Sequence, residues 1–412
     1  MKFQNPVIFY FPYKSYGGVS DLFFQCFSNL IKNGNESYVC DFIDGDISKQ
    51  ISAALKNRII DVENMKLPLK NSIYIFQSMI PWNLRNYDSF NDEDKLIYWN
   101  LHPYNLYPLL TSGRGNLIRR ILSKIVNIFS YYRLKKIRKF TEMMIQKESL
   151  YFMDYENKMK TEQMLGINIS DKYILPLFLE EKISTIKKRN SKKISKIGYL
   201  GRLVDFKVNP LLQILNRLED LKRNYEFYII GDGPMEEHLR SLSYQYLKIK
   251  FINYIDLNKD DSAIYQVDLF FAMGLSMMEI ASRGIPVIPM DYSYKKLNKL
   301  IKLKSLSDIN RFNLAEELVS EDQFESKCNL GLKIDEIEKN YEKYSHMSKQ
   351  WVSKNYSLNN WMENFQNAIK SSKVKFKDIK NSGFHKPDFI SLVFKSTVML
   401  FKNNKLSYFK SL

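Results

Sequence analysis

Apolar and polar positions along this chain fall into blocks of changing period. Short β-rich apolar runs at 6–11 (PVIFYF), 38–43, 72–77 (SIYIFQ) and 96–99 (LIYW) read as strands. The first ends in a loop holding Gly17 and Gly18, and the spacing predicts an amphipathic helix from about Val19 to Lys32. Strand, helix and strand in that order make a βαβ opening. The second half repeats the pattern three times: IGYLGRLVDFK from Ile197, then FYIIGDGPMEEHLR, then DLFFAMGLSMMEIASRGIPVIPMD ending at Asp291. Each apolar run stops in a glycine-containing loop, and a helix-like segment follows. This is the pattern of a parallel α/β sheet whose strand ends face a ligand. Helical periodicity is expected again over 314–318 and 334–344, and Trp351, Tyr356, Trp361 and Phe365 mark a further helical segment over 351–370.

Length turns these blocks into domains. With 412 residues, two to three domains are expected, and a hydrophobic share of 45% excludes a disordered chain. The polar run EEKISTIKKRNSKKISK (180–196) reads as the connection between halves. The expected division is 1–180, 181–350, and a C-terminal helical segment with a basic tail over 351–412.

The net charge of +17 points to an anionic partner: nucleic acid, an anionic membrane face or a phosphorylated substrate. No zinc spacing or aromatic ribonucleoprotein motif supports nucleic acid. Between Arg114 and Lys139 the chain carries nine lysines and arginines, among them Arg119, Arg120 and Lys124, without an acid, interleaved with apolar residues at helical spacing. This is a basic amphipathic helix; it suits an anionic membrane surface, or packs its stripe on its own domain. Three cysteines at non-metal spacing (Cys26, Cys40, Cys328) indicate a reducing compartment, and no run has the roughly 20 apolar residues of a spanning helix. A cytoplasmic protein, peripheral on the inner membrane face, is expected.

Three loops carry the chemistry. Arg202 and Lys207 follow the strand at 197–200 and offer a planar fork and a point charge to adjacent phosphates. Gly231-Asp232-Gly233-Pro234 reads as a structural strand-to-helix turn. Gly274, Leu275 and Ser276 open a predicted helix whose amide groups can meet an anion, with Glu279 one turn in, suited to a ribose diol or to the helix dipole. His238 falls in a predicted helix and is expected to face solvent, His346 and His385 have no evident chemical partner, and the Asp154-Tyr155-Glu156-Asn157 cluster, which could reach a cleft, reads rather as a surface loop.

With those residues assembled, the chain resembles the retaining family-4 type of glycosyltransferases with the GT-B fold. GRLVDFK, GDGP and GLSMMEIASRGIPVI carry the resemblance, with YGGVSDLF and NYSLNNW outside that stretch. It implies an α/β protein with two Rossmann-like domains facing a cleft and a C-terminal helix returning to the N-terminal domain. It implies transfer of a sugar from a nucleoside-diphosphate sugar to a glycan or lipid-linked acceptor in envelope polysaccharide synthesis, without metal or cofactor and with retention. By position, Arg202 and Lys207 correspond to the pair that holds the donor diphosphate. Glu279 corresponds to the ribose contact, Gly274, Leu275 and Ser276 to the loop beside the donor sugar, and Gly17 and Gly18 to the loop near the reaction centre. His102 corresponds to the histidine close to the donor sugar. Two positions depart: Phe271 stands where a sugar-holding glutamate is usual, eight residues before Glu279, and Asn253 where glycine is frequent. The departure at Phe271 keeps open a non-catalytic GT-B-shaped partner of another transferase.

Overall fold

The computed structural model describes residues 2–387 except 15–16, 66–70, 85–86, 107–116, 180–192, 254, 256, 258–259, 310–311 and 328; residues 117–131 are described as backbone alone. The chain divides into two compact units, Met1–Leu175 with Met362–Leu412, and Pro176–Trp361. The connection expected at 180–196 and the boundary within it fall mostly outside the described residues. So does an apolar patch in the tail at 389–401.

In the first unit six strands lie parallel in the order β3-β2-β1-β4-β5-β6. They are β1 (Val7–Tyr10), β2 (Ser37–Asp41), β3 (Ile59–Asp61), β4 (Ile73–Gln77), β5 (Lys95–Asn100) and β6 (Leu150–Phe152). All four residues of β1 are buried, as helices on both faces of a parallel sheet require. Helix α1 (Gly18–Lys32) buries Leu22, Phe23, Cys26, Phe27 and Leu30, one stripe at helical spacing. After α2 (Asp46–Gln50) comes the basic helix, α3 (Leu117–Gln146). It buries Ile137, Phe140 and Met144, while Lys135, Arg138 and Lys139 are exposed. Two of its cations turn inward. Arg133 is buried with its guanidinium 5.7 Å from the Trp82 ring, and Lys136 Nζ lies 4.8 Å from the same ring. Arg114 and the side chains of Arg119, Arg120 and Lys124 lie outside the described residues. Among the described residues no helix is long and apolar enough to cross a membrane.

Helix α4 (Tyr155–Leu165) corrects one expectation. Asp154 is no surface-loop residue: it is 1% exposed and caps the helix, its Oδ1 accepting the Asn157 N–H at 2.8 Å.

The second unit holds five parallel strands in the order β11-β10-β7-β8-β9. In chain order α-helices follow β7, β8 and β10: β7 (Lys196–Leu200), α5 (Asp205–Asp220), β8 (Tyr225–Ile230), α6 (Glu236–Arg240), β9 (Leu247–Ile252), β10 (Leu269–Ala272), α7 (Leu275–Ser282) and β11 (Val287–Pro289). The order reverses between β7 and β10, because the chain leaves the first strand in one direction and returns to its other side. Ligands of open α/β sheets bind beyond the carboxyl ends of the strands at such a point.

The stretch 314–318 is not helical. It runs extended, with Tyr292 and Glu317 in a parallel bridge, and the Tyr292 N–H donates to the Glu316 carbonyl at 2.9 Å. Helices α8 (Leu330–Lys339), α9 (Tyr341–Asn355) and α10 (Leu358–Ser371) follow. The chain from Met362 onward then belongs to the first unit, as expected for the returning helix. There Phe365 of α10 stacks on Phe9, and the Leu96 N–H donates to the Val374 carbonyl at 3.0 Å. Phe376, which opens α11 (Phe376–Asn381), stacks on Phe90 at 4.2 Å. These two units are the doubly wound halves that the GT-B fold calls for.

Candidate functional site

Strands β7 and β10 are neighbours, with Tyr199 opposite Phe271 in register. Three residues beyond that pair the chain reaches Arg202 on one strand and Gly274 on the other. Adjacent strands lie about 4.8 Å apart, so the two phosphate-suited loops leave the sheet side by side at the switch point.

The first loop is shaped by glycines of its neighbour. A Cβ at Gly231 would stand 2.2 Å from the Gly201 carbonyl oxygen, and one at Gly233 would stand 2.5 Å from that of Leu203. The approach is tied by hydrogen bonds: the Leu203 N–H donates to the Asp232 carbonyl at 2.7 Å, and the Met235 N–H to the Leu203 carbonyl at 3.0 Å. The Gly-Asp-Gly-Pro turn thus buttresses the Arg202 loop from behind, the structural role expected for it.

Arg202 itself is exposed, and Lys207 is half-buried in the first turn of α5. Among the described residues neither has a carboxylate partner or a side-chain hydrogen bond. Burial, and then the nearby Arg202 charge, pull the Lys207 ammonium down to about 8 from 10.5. Two cations that repel each other without an acid between them are relieved by any anion that comes between them.

The second loop supplies amides. Gly274 caps α7 at φ 66 and ψ −145, a region that side chains rarely enter, and a Cβ there would meet nothing within 4 Å. Its N–H donates to the Leu314 carbonyl at 3.1 Å, which pins the loop. Among the described residues the Leu275 and Ser276 N–H groups have no acceptor, so the positive end of α7 opens beside Arg202.

Glu279 lies one turn into α7 and is held by a residue that the sequence reading missed. The Arg283 side chain, 0% exposed, reaches Glu279 Oε2 at 2.6 Å and Asp261 Oδ2 at 2.9 Å. It also donates to the carbonyls of Glu279 at 2.8 Å and Leu257 at 3.2 Å. Burial works against its charge, but the two carboxylates outweigh burial and raise its pKa. The signal in the sequence was the Glu-to-Arg spacing of four, which reads equally as a surface pair.

Phe271 is wholly buried in the core with Tyr199, Ile229 and Ile288, so it presents nothing to a ligand. Gly17, Gly18 and His102 belong to the first unit. Gly17 caps α1 in extended backbone (φ −170), with open space where a Cβ would be, and Gly18 is the first helical residue. His102 is exposed two residues past β5, its Nδ1 accepting the Tyr104 N–H at 3.2 Å. Strand β4 lies between β1 and β5, so these loops leave the sheet one strand apart. Among the described residues no group of three or more metal-ligating side chains is gathered.

No family model and no curated protein sequence matches the chain. Solved structures do. A lipopolysaccharide outer core galactosyltransferase, WaaB, superposes with a TM-score of 0.51 at 14% identity over 90% of this chain and 100% of its own. Anabaena HepE in complex with UDP and glucose gives 0.53 at 10% identity over 89% and 100%. An α-glucosyltransferase in complex with UDP-glucose and DNA containing an abasic site gives 0.51 at 11% identity over 89% and 98%. Along nearly its whole length, this chain has the two-unit α/β fold of the GT-B glycosyltransferases.

Proposed function

We propose that this protein is a glycosyltransferase that moves a sugar from a nucleoside-diphosphate sugar to an acceptor hydroxyl. The observation that carries the reading is the pair Arg202 and Lys207, without acid partners, beside the open amide end of α7. As the bond between the sugar's anomeric carbon and the diphosphate oxygen breaks, negative charge gathers on the departing diphosphate. The two cations and the helix start stabilise it, which lowers the barrier where charge develops. Glu279, fixed by Arg283, receives the ribose hydroxyls. His102, Gly17 and Gly18 serve the reacting end of the donor. Retention and independence from metal follow from the resemblance to the family-4 type.

The acceptor is a glycan or lipid-linked hydroxyl of envelope polysaccharide, met at an anionic membrane face by the exposed cations of α3, such as Lys135 and Lys139. Because one fold neighbour was solved with DNA, DNA belongs in the acceptor panel.

The test is release of nucleoside diphosphate from a panel of donors, with membrane lipid extract, oligosaccharides and DNA as acceptors. Turnover that falls at least 100-fold in Arg202→Ala and Lys207→Ala, with folding intact, supports the reading. Unchanged turnover in both overturns the site. Tight nucleotide binding with no turnover on any donor favours the non-catalytic partner.

A further inference from the structure

A polar cavity of about 220 Å³ opens at the carboxyl end of β11, bounded by Pro289, Asp291, Lys304, Asn313, Leu314 and Glu316. It is joined by hydrogen bonds to both phosphate-facing loops. The Gly274 N–H donates to the carbonyl of Leu314, a wall residue. On the other side the chain leaving Asp291 reaches α5, where the Ser293 N–H donates to the Phe206 carbonyl at 2.9 Å, one residue before Lys207. The cavity therefore adjoins the place where a donor diphosphate would end.

Its chemistry is specific. Lys304 Nζ lies 2.7 Å from Asp291 Oδ2 and 2.7 Å from Glu316 Oε2. Asn313 Nδ2 donates to Glu316 Oε1 at 2.7 Å, and the Glu316 N–H to Asp291 Oδ1 at 2.9 Å. Burial works against the Lys304 ammonium, yet the two carboxylates hold its pKa above the usual lysine value. Each carboxylate oxygen keeps a further lone pair, and Lys304 has one N–H beyond its two carboxylate bonds. The array is rigid, fixed by its internal bonds, and still able to accept several hydroxyl donors and give one hydrogen bond. A dry cavity of about 150 Å³ takes a benzene ring, so this one has room for a six-membered ring with substituents. Asp308 adds a third carboxylate at the rim, against one ammonium.

Resting on the donor-site reading above, we infer that this cavity receives the donor's sugar ring. Asp291, Lys304, Asn313 and Glu316 select an uncharged hexose with free hydroxyls and reject a hexuronate. They take over the selection for which Phe271 offers no polar group. A sugar carboxylate here would meet Asp291, Asp308 and Glu316, and like charges at close range repel.

The experiment measures binding of nucleoside diphosphates (uridine, guanosine, adenosine, cytidine and thymidine) and of their hexose and hexuronate conjugates. It compares the wild type with Glu316→Gln and Asn313→Ala, each checked by thermal melting. Glu316→Gln keeps shape and removes one charge, its amide accepting from only one of Lys304 and Asn313, and Asn313→Ala removes a donor without uncovering Asp291. The expected result is unchanged affinity for the diphosphate alone in both variants. Hexose-conjugate affinity falls about tenfold, and the wild-type preference for hexose over hexuronate shrinks in Glu316→Gln. If the diphosphate binds but neither variant alters discrimination between sugars, the cavity assignment is overturned and the donor-site reading stands. Failure of every diphosphate to bind overturns both.

Discussion

The guanidinium of Arg283, sealed from solvent, lies 2.6 Å from the Glu279 carboxylate on the same helix face and fixes where that carboxylate points. The same guanidinium also holds Asp261 and the Leu257 carbonyl, which follow β9. Glu279 is thus coupled to a second loop 18 to 22 positions away in sequence.

Removing that clamp separates folding from recognition. Arg283→Ala leaves two carboxylates without their buried partner and is expected to cost about 3–5 kcal/mol of stability, read by urea denaturation. Arg283→Lys keeps the charge, but a point charge cannot span four acceptors as the planar fork does. Stability then falls less, while the loss in nucleotide affinity caused by deoxygenating the ribose diol shrinks relative to the wild type. An unchanged diol dependence in Arg283→Lys would refute the coupling of Arg283 to ribose recognition.

Lys207 gives the site a pH signature of opposite sign in binding and in stability. Its pKa is about 8 in the fold against 10.5 for an ordinary lysine. The ammonium must be charged to hold a diphosphate, so kcat/KM falls as pH rises through about 8. Stability moves the other way. Between about 8 and 10.5 the unfolded chain binds the extra proton, so folding becomes more favourable with rising pH across that window. Lys207→Arg retains charge throughout and should remove the fall in kcat/KM below pH 10; persistence of that limb would assign it to another group.

The glycines make unequal demands although all sit in loops at strand ends. Gly17 has extended backbone and open space, so Gly17→Ala should leave stability within about 0.5 kcal/mol of wild type. Gly231 sits at φ 135 against the Gly201 carbonyl, and Gly231→Ala must push the Arg202 loop away. It should cost about 3 kcal/mol and weaken diphosphate binding. Denaturation of the two variants side by side checks the contrast; equal stability would contradict the packing of the two loops.

Much of this arrangement was legible in the chain because parallel strands buried on both faces are continuous apolar runs, as in β1, β4 and β8. The three-residue strands Ile59–Asp61 and Leu150–Phe152 are too short for a period to show. The stretch 314–318 misled for a definite reason. Leu314 and Leu318 are buried four positions apart, which satisfies a helical repeat and a two-residue strand repeat alike, and the extended form won through bonds to Asp291 and Tyr292. The loops holding Arg202 and Gly274 could be located locally, since each follows its own strand. The Asp291–Lys304–Glu316 array could not, because only the fold brings together residues separated by up to 25 positions.

Phe271 offers the sharpest contrast between the family resemblance and the structure. Restoring the glutamate usual at this position looks like a repair, and the fold says otherwise. The side chain is 0% exposed on β10, opposite Tyr199 and packed into the apolar core of the second unit. Phe271→Glu would bury a carboxylate with no partner, a change expected to cost more than about 4 kcal/mol and to abolish cooperative unfolding. Phe271→Leu nearly conserves volume and should cost about 1–1.5 kcal/mol. Since the ring is enclosed by core atoms, Phe271→Leu should leave the ratio of kcat/KM values between donor sugars unchanged. Thermal melting and a two-donor kinetic comparison decide the matter: a stable Phe271→Glu protein with gained turnover, or altered donor preference in Phe271→Leu, would place this side chain at the sugar rather than in the core.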